Sequence, residues 1–114
     1  MDDRPRSAYY GYMHQFIQQR LAAIRNIAAS HKARSLDLFG SGTNGEFNEA
    51  SSDFDFLVEF EPLAPGEYAQ HYFELKEELE QLTGRHVDLV VGSAIRNPYF
   101  QNSVNATRQP LYPA

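Results

Sequence analysis

Cysteine is absent from this 114-residue chain, and no apolar run is long enough to cross a bilayer. Without a thiol, the chain has no disulfide framework, no thiolate nucleophile and no cysteine-based zinc site. Its four histidines are scattered and show no paired spacing typical of metal ligands. Residues 1–6 lack the apolar segment of a signal peptide, so we expect a cytoplasmic protein without a membrane partner.

The chain also has few positive charges. Its formal net charge is -5 and its isoelectric point is near 5.2. A general electrostatic footprint for nucleic acid is therefore missing, and direct nucleic-acid binding is not expected. An acidic protein repels a triphosphate unless metal ions or a local group of Lys and Arg reverse the field, so any phosphate chemistry here requires cations.

The hydrophobic pattern predicts one modest core and one domain over residues 1–114, with 42% hydrophobic residues. The predicted order is α, β, loop, β, α, β, α. Apolar residues at helical spacing predict helices, and period-two alternation predicts strands. The predicted helices cover 7–30, 68–82 and a segment from Asn97 to before Pro110, and the predicted strands cover 35–39, 53–60 and 85–91.

Two carboxylates separated by one residue stand on the second predicted strand. Asp53 and Asp55 point to the same face, about 7 Å apart at their Cα atoms. Asp88, on the third strand, joins them if that strand lies beside the second with its acid on the same side. Three such carboxylates raise one another's pKa without a metal, whereas a divalent ion keeps them ionised. Hard oxygen ligands favour magnesium.

A Gly-Ser turn precedes these acids and can approach phosphate. Gly40 allows a turn without a Cβ near the triphosphate, and the Ser41 hydroxyl with neighbouring amides can donate to phosphate oxygens. Ser52 is placed to orient Asp53. In a two-metal nucleotidyl transfer, Asp53 and Asp55 would be shared ligands. Asp88 would bind the metal near the acceptor hydroxyl and is the best candidate for the general base.

Gly40-Ser41, Gly45, Ser52-Asp53-Phe54-Asp55 and Val87-Asp88-Leu89 together resemble the nucleotidyltransferase superfamily that includes DNA polymerase beta. The similarity spans roughly residues 36–91 and is greatest to the minimal nucleotidyltransferases, or MntA-type antitoxins. It implies an α/β (α+β) nucleotidyltransferase fold, in which helices flank a small mixed sheet.

The resemblance also implies an activity and a partner. These are magnesium-dependent transfer of AMP from ATP and pairing with a HEPN-domain toxin, whose tyrosine hydroxyl receives the AMP. Carried over by position, the functional residues are Gly40, Ser41, Asp53, Asp55 and Asp88.

The sequence departs from the family pattern in the turn. Asn44 stands where many relatives have Arg or Lys, and Thr43 stands where Ala is frequent. The residue that neutralises the triphosphate is therefore open among Lys76, Arg85 and Arg96.

Other interpretations of these residues stay open. Asp53 and Asp55 also suit a solvent-facing acidic strand, and we interpret Asp37 as structural. His86 lies beside the predicted site but also suits an ordinary strand edge. Two alternative functions are adenylylation of a small molecule such as an aminoglycoside and non-catalytic inhibition of a toxin by binding.

Overall fold

The computed structural model describes residues 15–43 and 53–113. The first part of the predicted N-terminal helix, residues 7–14, lies outside these ranges. Asn44, Gly45 and Ser52 lie outside them as well. For Ser41, only the backbone is described.

A four-stranded mixed sheet forms the centre of the described fold, in the order β3-β2-β1-β4. Strand β2 pairs antiparallel with β1 and parallel with β3, and β4 pairs antiparallel with β1. The parallel pairing requires a crossover, which the long helix Pro65–Thr83 provides. The strands are β1 (Ala33–Phe39), β2 (Phe54–Phe60), β3 (Val87–Val91) and β4 (Gln109–Tyr112).

The helices are α1 (Gln15–Gln18), α2 (Leu21–Ser30), α3 (Pro65–Thr83) and α4 (Pro98–Thr107), with short 3-10 turns at Gly40–Thr43 and Gly92–Ala94. Helix α3 ends at Gly84, which has a left-handed conformation. Helix α4 begins at Asn97, whose side chain accepts hydrogen bonds from the amides of Tyr99 and Phe100. The predicted end of the second helix and start of the third agree with these caps.

The predicted helix over 7–30 is interrupted at Gln19 and Arg20. In a continuous helix, the amide of Arg20 would donate to the carbonyl of Phe16. Here that amide donates to the carbonyl of Ile17, and the Arg20 guanidinium donates to the Phe16 carbonyl at 3.1 Å. The guanidinium carbon also lies 3.6 Å from the centre of the Phe16 ring. The Arg20 side chain therefore replaces the backbone hydrogen bond at this point.

Strand β4 was not predicted, because it contains Pro110 and only four residues. Proline is tolerated at a sheet edge, where one side of the strand has no neighbour. Leu111 is fully buried within β4, and its carbonyl accepts a hydrogen bond from Arg25 at 2.8 Å. The chain after α4 thus completes the edge of the sheet beside β1.

The main core lies between one face of the sheet and helices α1, α2 and α3. Its largest members include Phe54 and Phe56 of β2 and Leu75 and Leu79 of α3. On the other face, Leu57 packs with Val104 of α4 in a smaller cluster. No helix in 15–43 or 53–113 is both long and apolar enough to span a membrane.

We predict that Leu111→Ala lowers the free energy of unfolding by about 2–4 kcal/mol, because it empties a fully buried position between β1 and the helices. Urea denaturation measures the change. The neighbouring exposed Pro110 provides the control, since Pro110→Ala removes no buried side chain and is expected to cost less than about 1 kcal/mol. Equal losses for the two variants would contradict the packing of β4.

Candidate active site

Three carboxylates meet where β2 and β3 begin. The parallel register makes Asp55 and Asp88 direct neighbours on adjacent strands. Asp53 directly precedes β2, two residues before Asp55, and its charge acts on Asp55. Asp53 and Asp88 are exposed, and Asp55 is half-buried. The structure therefore brings together the three acids predicted from the sequence.

Burial and the other acids of this acidic cluster raise the pKa of Asp55 from 3.8 to about 6. Burial is the largest cause, followed by a hydrogen bond with Asp88 and the negative charges of Asp88 and Asp53. A bound cation would relieve this repulsion, and the ligand atoms here are carboxylate oxygens. The acidic cluster thus fits a divalent ion such as magnesium.

His86 contacts the acidic cluster. Its Nε2 lies 3.2 Å from Asp88 Oδ1, and its Nδ1 lies 3.2 Å from Glu80 Oε2. Potential ligand atoms of Asp53, His86 and Asp88 all lie within 4.8 Å of one another. The sequence already placed His86 and Asp88 on the same strand face, and the structure shows that the two side chains are in contact.

Glu80 connects His86 to helix α3. Lys76 donates to Glu80 at 2.9 Å and the amide of Val87 donates to it at 3.0 Å. The hydrogen bond from Lys76 is the first cause that lowers the pKa of Glu80, followed by the bond from Val87. Glu80 therefore stays ionised and can hold the His86 ring in its orientation toward Asp88.

Gly40 packs directly against the acidic cluster. Its φ of +74° lies in the left-handed region, and a Cβ at this position would stand 2.6 Å from Asp55 Oδ2. The predicted reason for this glycine was access for the triphosphate, whereas the described neighbour is the Asp55 carboxylate. Its amide already donates to Thr107 Oγ1 at 2.9 Å, and its carbonyl accepts from Thr43 at 2.6 Å. These bonds stabilise the turn that follows β1 and attach it to α4.

A pocket of about 380 Å³ opens beside Asp55 and Asp88. Aromatic rings of Phe39 and Phe100 form part of its wall, with their centroids 6.1 Å apart in a T-shaped arrangement. Lys76 also lines it. Phe100 comes from α4, so its position near the acids depends on the tertiary fold and was not predicted.

The three basic residues considered for the triphosphate have different surroundings. Lys76 lines the pocket beside the acidic cluster but is paired with Glu80. Arg96 donates to the carbonyls of Ser93 and Ile95 at 2.8 and 3.4 Å. Arg85 is half-buried just before β3. Lys76 is therefore the candidate that the structure places in the pocket with Asp55 and Asp88.

Asp37 of β1 forms an ion pair with Arg108. Its carboxylate accepts from Nε and Nη2 of Arg108, both at 2.7 Å, and it is buried. An ion pair between β1 and the end of α4 agrees with its interpretation as a structural residue.

A family comparison decides how this site is classified. The family described as "Nucleotidyltransferase domain" matches residues 21–109, a range that includes all three acids and the turn at Gly40. The chain belongs to this nucleotidyltransferase family. The predicted fold and enzyme class are thereby confirmed.

Curated relatives of this nucleotidyltransferase agree with that assignment. It is 40% identical over 74 residues to a Methanocaldococcus jannaschii protein assigned as a protein adenylyltransferase, covering 65% of this chain and 72% of the relative. It is 36% identical over 85 residues to the protein adenylyltransferase MntA of Thermococcus cleftensis, covering 68% of this chain and 82% of the relative.

Solved structures share the fold. A structure assigned as a minimal nucleotidyltransferase superposes with a TM-score of 0.66 at 32% identity, covering 88% of this chain and 98% of that one. The MNT antitoxin in complex with a tri-AMPylated HEPN toxin of Shewanella oneidensis gives a TM-score of 0.59 at 21% identity, covering 85% of this chain and 72% of that one. The second similarity bears on the fold alone.

We predict that Gly40→Ala severely reduces nucleotidyl transfer, because the new Cβ displaces the Asp55 carboxylate. It should also lower stability by about 1–3 kcal/mol through its left-handed backbone. Gly84→Ala is the matched control: its φ is +67°, but a Cβ there meets nothing within 4 Å. Both variants should lose stability in thermal unfolding, and only Gly40→Ala should lose transfer. Wild-type transfer by Gly40→Ala would contradict the described contact.

The raised pKa of Asp55 predicts a pH-dependent stability in the absence of metal. Folding favours the protonated carboxyl, so the stabilisation that it contributes is complete below pH 3.8 and is lost as the pH rises through about 6. In EDTA near pH 7.5, Asp55→Asn should therefore stabilise the protein by on the order of 1 kcal/mol, since solvent screens a half-open site.

Chemical denaturation at pH 4 and pH 7.5 measures this difference. Glu59→Gln, which lies on the same face of β2 outside the acidic cluster, controls for the general loss of a negative charge. Magnesium should stabilise the wild type more than Asp55→Asn. A variant that is less stable than the wild type at pH 7.5 in EDTA would refute the repulsion.

Proposed function

We propose that this nucleotidyltransferase uses magnesium to transfer AMP from ATP to a tyrosine hydroxyl of a HEPN-domain toxin and thereby acts as the antitoxin of the pair. The observation that carries the proposal is the direct pairing of Asp55 with Asp88 across β2 and β3, with Asp53 beside them. Names of curated relatives support adenylylation of a protein, and one of them is an MntA. Among structures with the same fold are antitoxins in complex with HEPN toxins and a toxin–antitoxin complex with AMP-PNP.

Magnesium, in two ions, would be held by Asp53, Asp55 and Asp88. When bound, it would supply positive charge for the phosphate oxygens and keep the three carboxylates ionised. Asp55 is held in place by the parallel ladder and by the Gly40 backbone packed against its carboxylate. Asp55 is half-buried, whereas Asp53 and Asp88 are exposed. The Asp55 side chain is therefore the most restricted of the three.

Asp88 acts as the general base in this proposal. It accepts the proton of the acceptor hydroxyl as the oxygen bonds to the α-phosphorus, and the bond from phosphorus to the pyrophosphate oxygen breaks. The contact of 3.2 Å from His86 orients Asp88, and Glu80 holds the other side of the imidazole ring. By family position, Gly40, Ser41 and Ser52 would bind ATP.

Exposed aromatic rings near the site favour a protein acceptor. Tyr99 is 83% exposed and Phe100 is 40% exposed at the start of α4, and Phe100 also lines the pocket beside Asp55 and Asp88. Large exposed rings next to a polar site are typical of surfaces that bind proteins. A macromolecular acceptor docked on α4 would bring its hydroxyl to the pocket, and this observation favours the toxin over an aminoglycoside.

The test uses ATP labelled at the α-phosphate, magnesium and a HEPN-domain toxin as the acceptor protein. Label should pass to that protein, and Asp88→Asn should reduce the rate by about 10²–10⁴-fold, the range for loss of a general base. Glu61→Gln, an exposed acid beyond β2, should transfer normally. Transfer by Asp88→Asn at the wild-type rate would contradict the assigned role.

Two further outcomes separate the alternatives. If Asp53→Asn with Asp55→Asn still neutralises the toxin fully, the chain inhibits by binding alone. If label passes to hydroxylated antibiotics and never to the partner protein, the acceptor is a small molecule. Either outcome would overturn the proposed function.

A further inference from the structure

A second group of potential metal ligands lies in the helical layer, on the opposite face of the sheet from the acidic cluster. His31 follows the last residue of α2, and His71, Glu74 and Glu78 lie on α3. We call these four residues the histidine cluster. The spacing of three between His71 and Glu74 and of four between Glu74 and Glu78 places them along one side of the helix.

The ligand atoms of the histidine cluster lie close enough together to share one metal ion. Nδ1 of His31 lies 3.2 Å from Nδ1 of His71 and 3.9 Å from Oε1 of Glu74. Ligand atoms of these three residues all lie within 4.8 Å of one another. Two nitrogens bound to one tetrahedral zinc at 2.0–2.1 Å are separated by about 3.3 Å, close to the spacing of the two imidazoles.

The remaining contacts orient the ligands. His31 Nε2 contacts the carboxylate of Glu78, and an ionised carboxylate only accepts hydrogen bonds, so Nε2 carries a proton. In the neutral ring, Nδ1 then presents its lone pair toward His71 and Glu74. A histidine that donates to a carboxylate through its other nitrogen is the usual arrangement around protein-bound metals. Gln70 donates to the second oxygen of Glu74 at 3.1 Å, which turns the first oxygen toward His31.

His31 is the most buried member of the histidine cluster. Its side chain is only 10% exposed, yet its Nδ1 is directed at another imidazole nitrogen rather than at a carbonyl or a carboxylate in close contact. Nitrogens that face each other require one shared proton or one shared cation between them. His71 and Glu74 are half-buried, so water and ions can reach this point from solvent.

We propose that His31, His71 and Glu74 bind a divalent transition metal of the zinc type, with Glu78 orienting His31. Two imidazoles and one carboxylate suit zinc, whereas the oxygen ligands of Asp53, Asp55 and Asp88 suit magnesium. The fourth position is open to a water molecule. The ion joins the C-terminal end of α2 to the middle of α3 and is separate from nucleotidyl transfer.

Zinc binding by the full chain tests this proposal, measured by isothermal titration calorimetry in excess magnesium so that the acidic cluster is occupied. The wild type should bind one zinc ion, and His71→Ala should weaken binding by about 100-fold or more. Glu78→Gln should weaken it by about 10–100-fold, as expected for a residue that orients a ligand. Cobalt should give visible absorption bands of a low-coordinate site in the wild type and lose them in His71→Ala.

His86→Ala is the matched control, because His86 belongs to the other group of potential ligands, with Asp53 and Asp88. It should leave this zinc affinity and the cobalt spectrum unchanged. Glu74→Gln, at a half-buried position, repeats the test if His71→Ala fails to fold. The zinc titration does not use AMP transfer, so its result does not depend on the proposed function. AMP transfer by His71→Ala should match that of the wild type.

Zinc binding that persists in His71→Ala and Glu74→Gln but is lost in His86→Ala would place the metal at the acidic cluster and overturn the proposal. Failure of the wild type to bind zinc would also overturn it and leave His31 and His71 as a hydrogen-bonded pair.

Discussion

Parallel pairing of β2 with β3 aligns Asp55 with Asp88, and two carboxylates on adjacent strands repel each other unless a proton or a cation lies between them. Burial of Asp55, together with this repulsion, raises its pKa. Repulsion of this kind destabilises the metal-free protein at neutral pH and makes cation binding favourable. The neighbouring carboxylates that the site needs therefore lower the stability of the sheet that carries them.

Several local features serve this pairing. Helix α3 is the crossover that makes β2 and β3 parallel, and through Glu80 it also holds His86 against Asp88. Gly40 leaves the space that the Asp55 carboxylate occupies, and its amide is tied to Thr107 at the end of α4. Elements distant in the chain therefore position the carboxylates of Asp55 and Asp88.

The two faces of the sheet have different roles. One face packs against α1, α2 and α3 and contains the large apolar residues of the main core. The other is covered in part by α4 and leaves the acids accessible. The histidine cluster and the acidic cluster lie on opposite sides, so the imidazoles of the first and the three carboxylates of the second are kept apart. The two proposed cation sites therefore lie on separate faces of one small domain.

Residues close in the chain were predictable, because their relation follows from local geometry. Alternation over 53–60 placed Asp53 and Asp55 on one face, and the capping residues Gly84 and Asn97 marked helix ends. Arg20 could not be identified as a helix interruption, since its side chain competes with its own amide for a carbonyl. The edge strand at Gln109–Tyr112 was missed because proline normally argues against a strand.

Local sequence determined the types of ligand available, the strand and helix periods and the spacing of Asp53 from Asp55. Only the tertiary structure decided that Asp88 is the direct neighbour of Asp55 and that His31 contacts His71. It also decided that the Asp55 carboxylate fills the space that a side chain at Gly40 would need. The physical reason is that periodicity acts over a few residues, whereas strand register and helix packing bring together groups separated by 15 to 40 positions, through burial of a shared core.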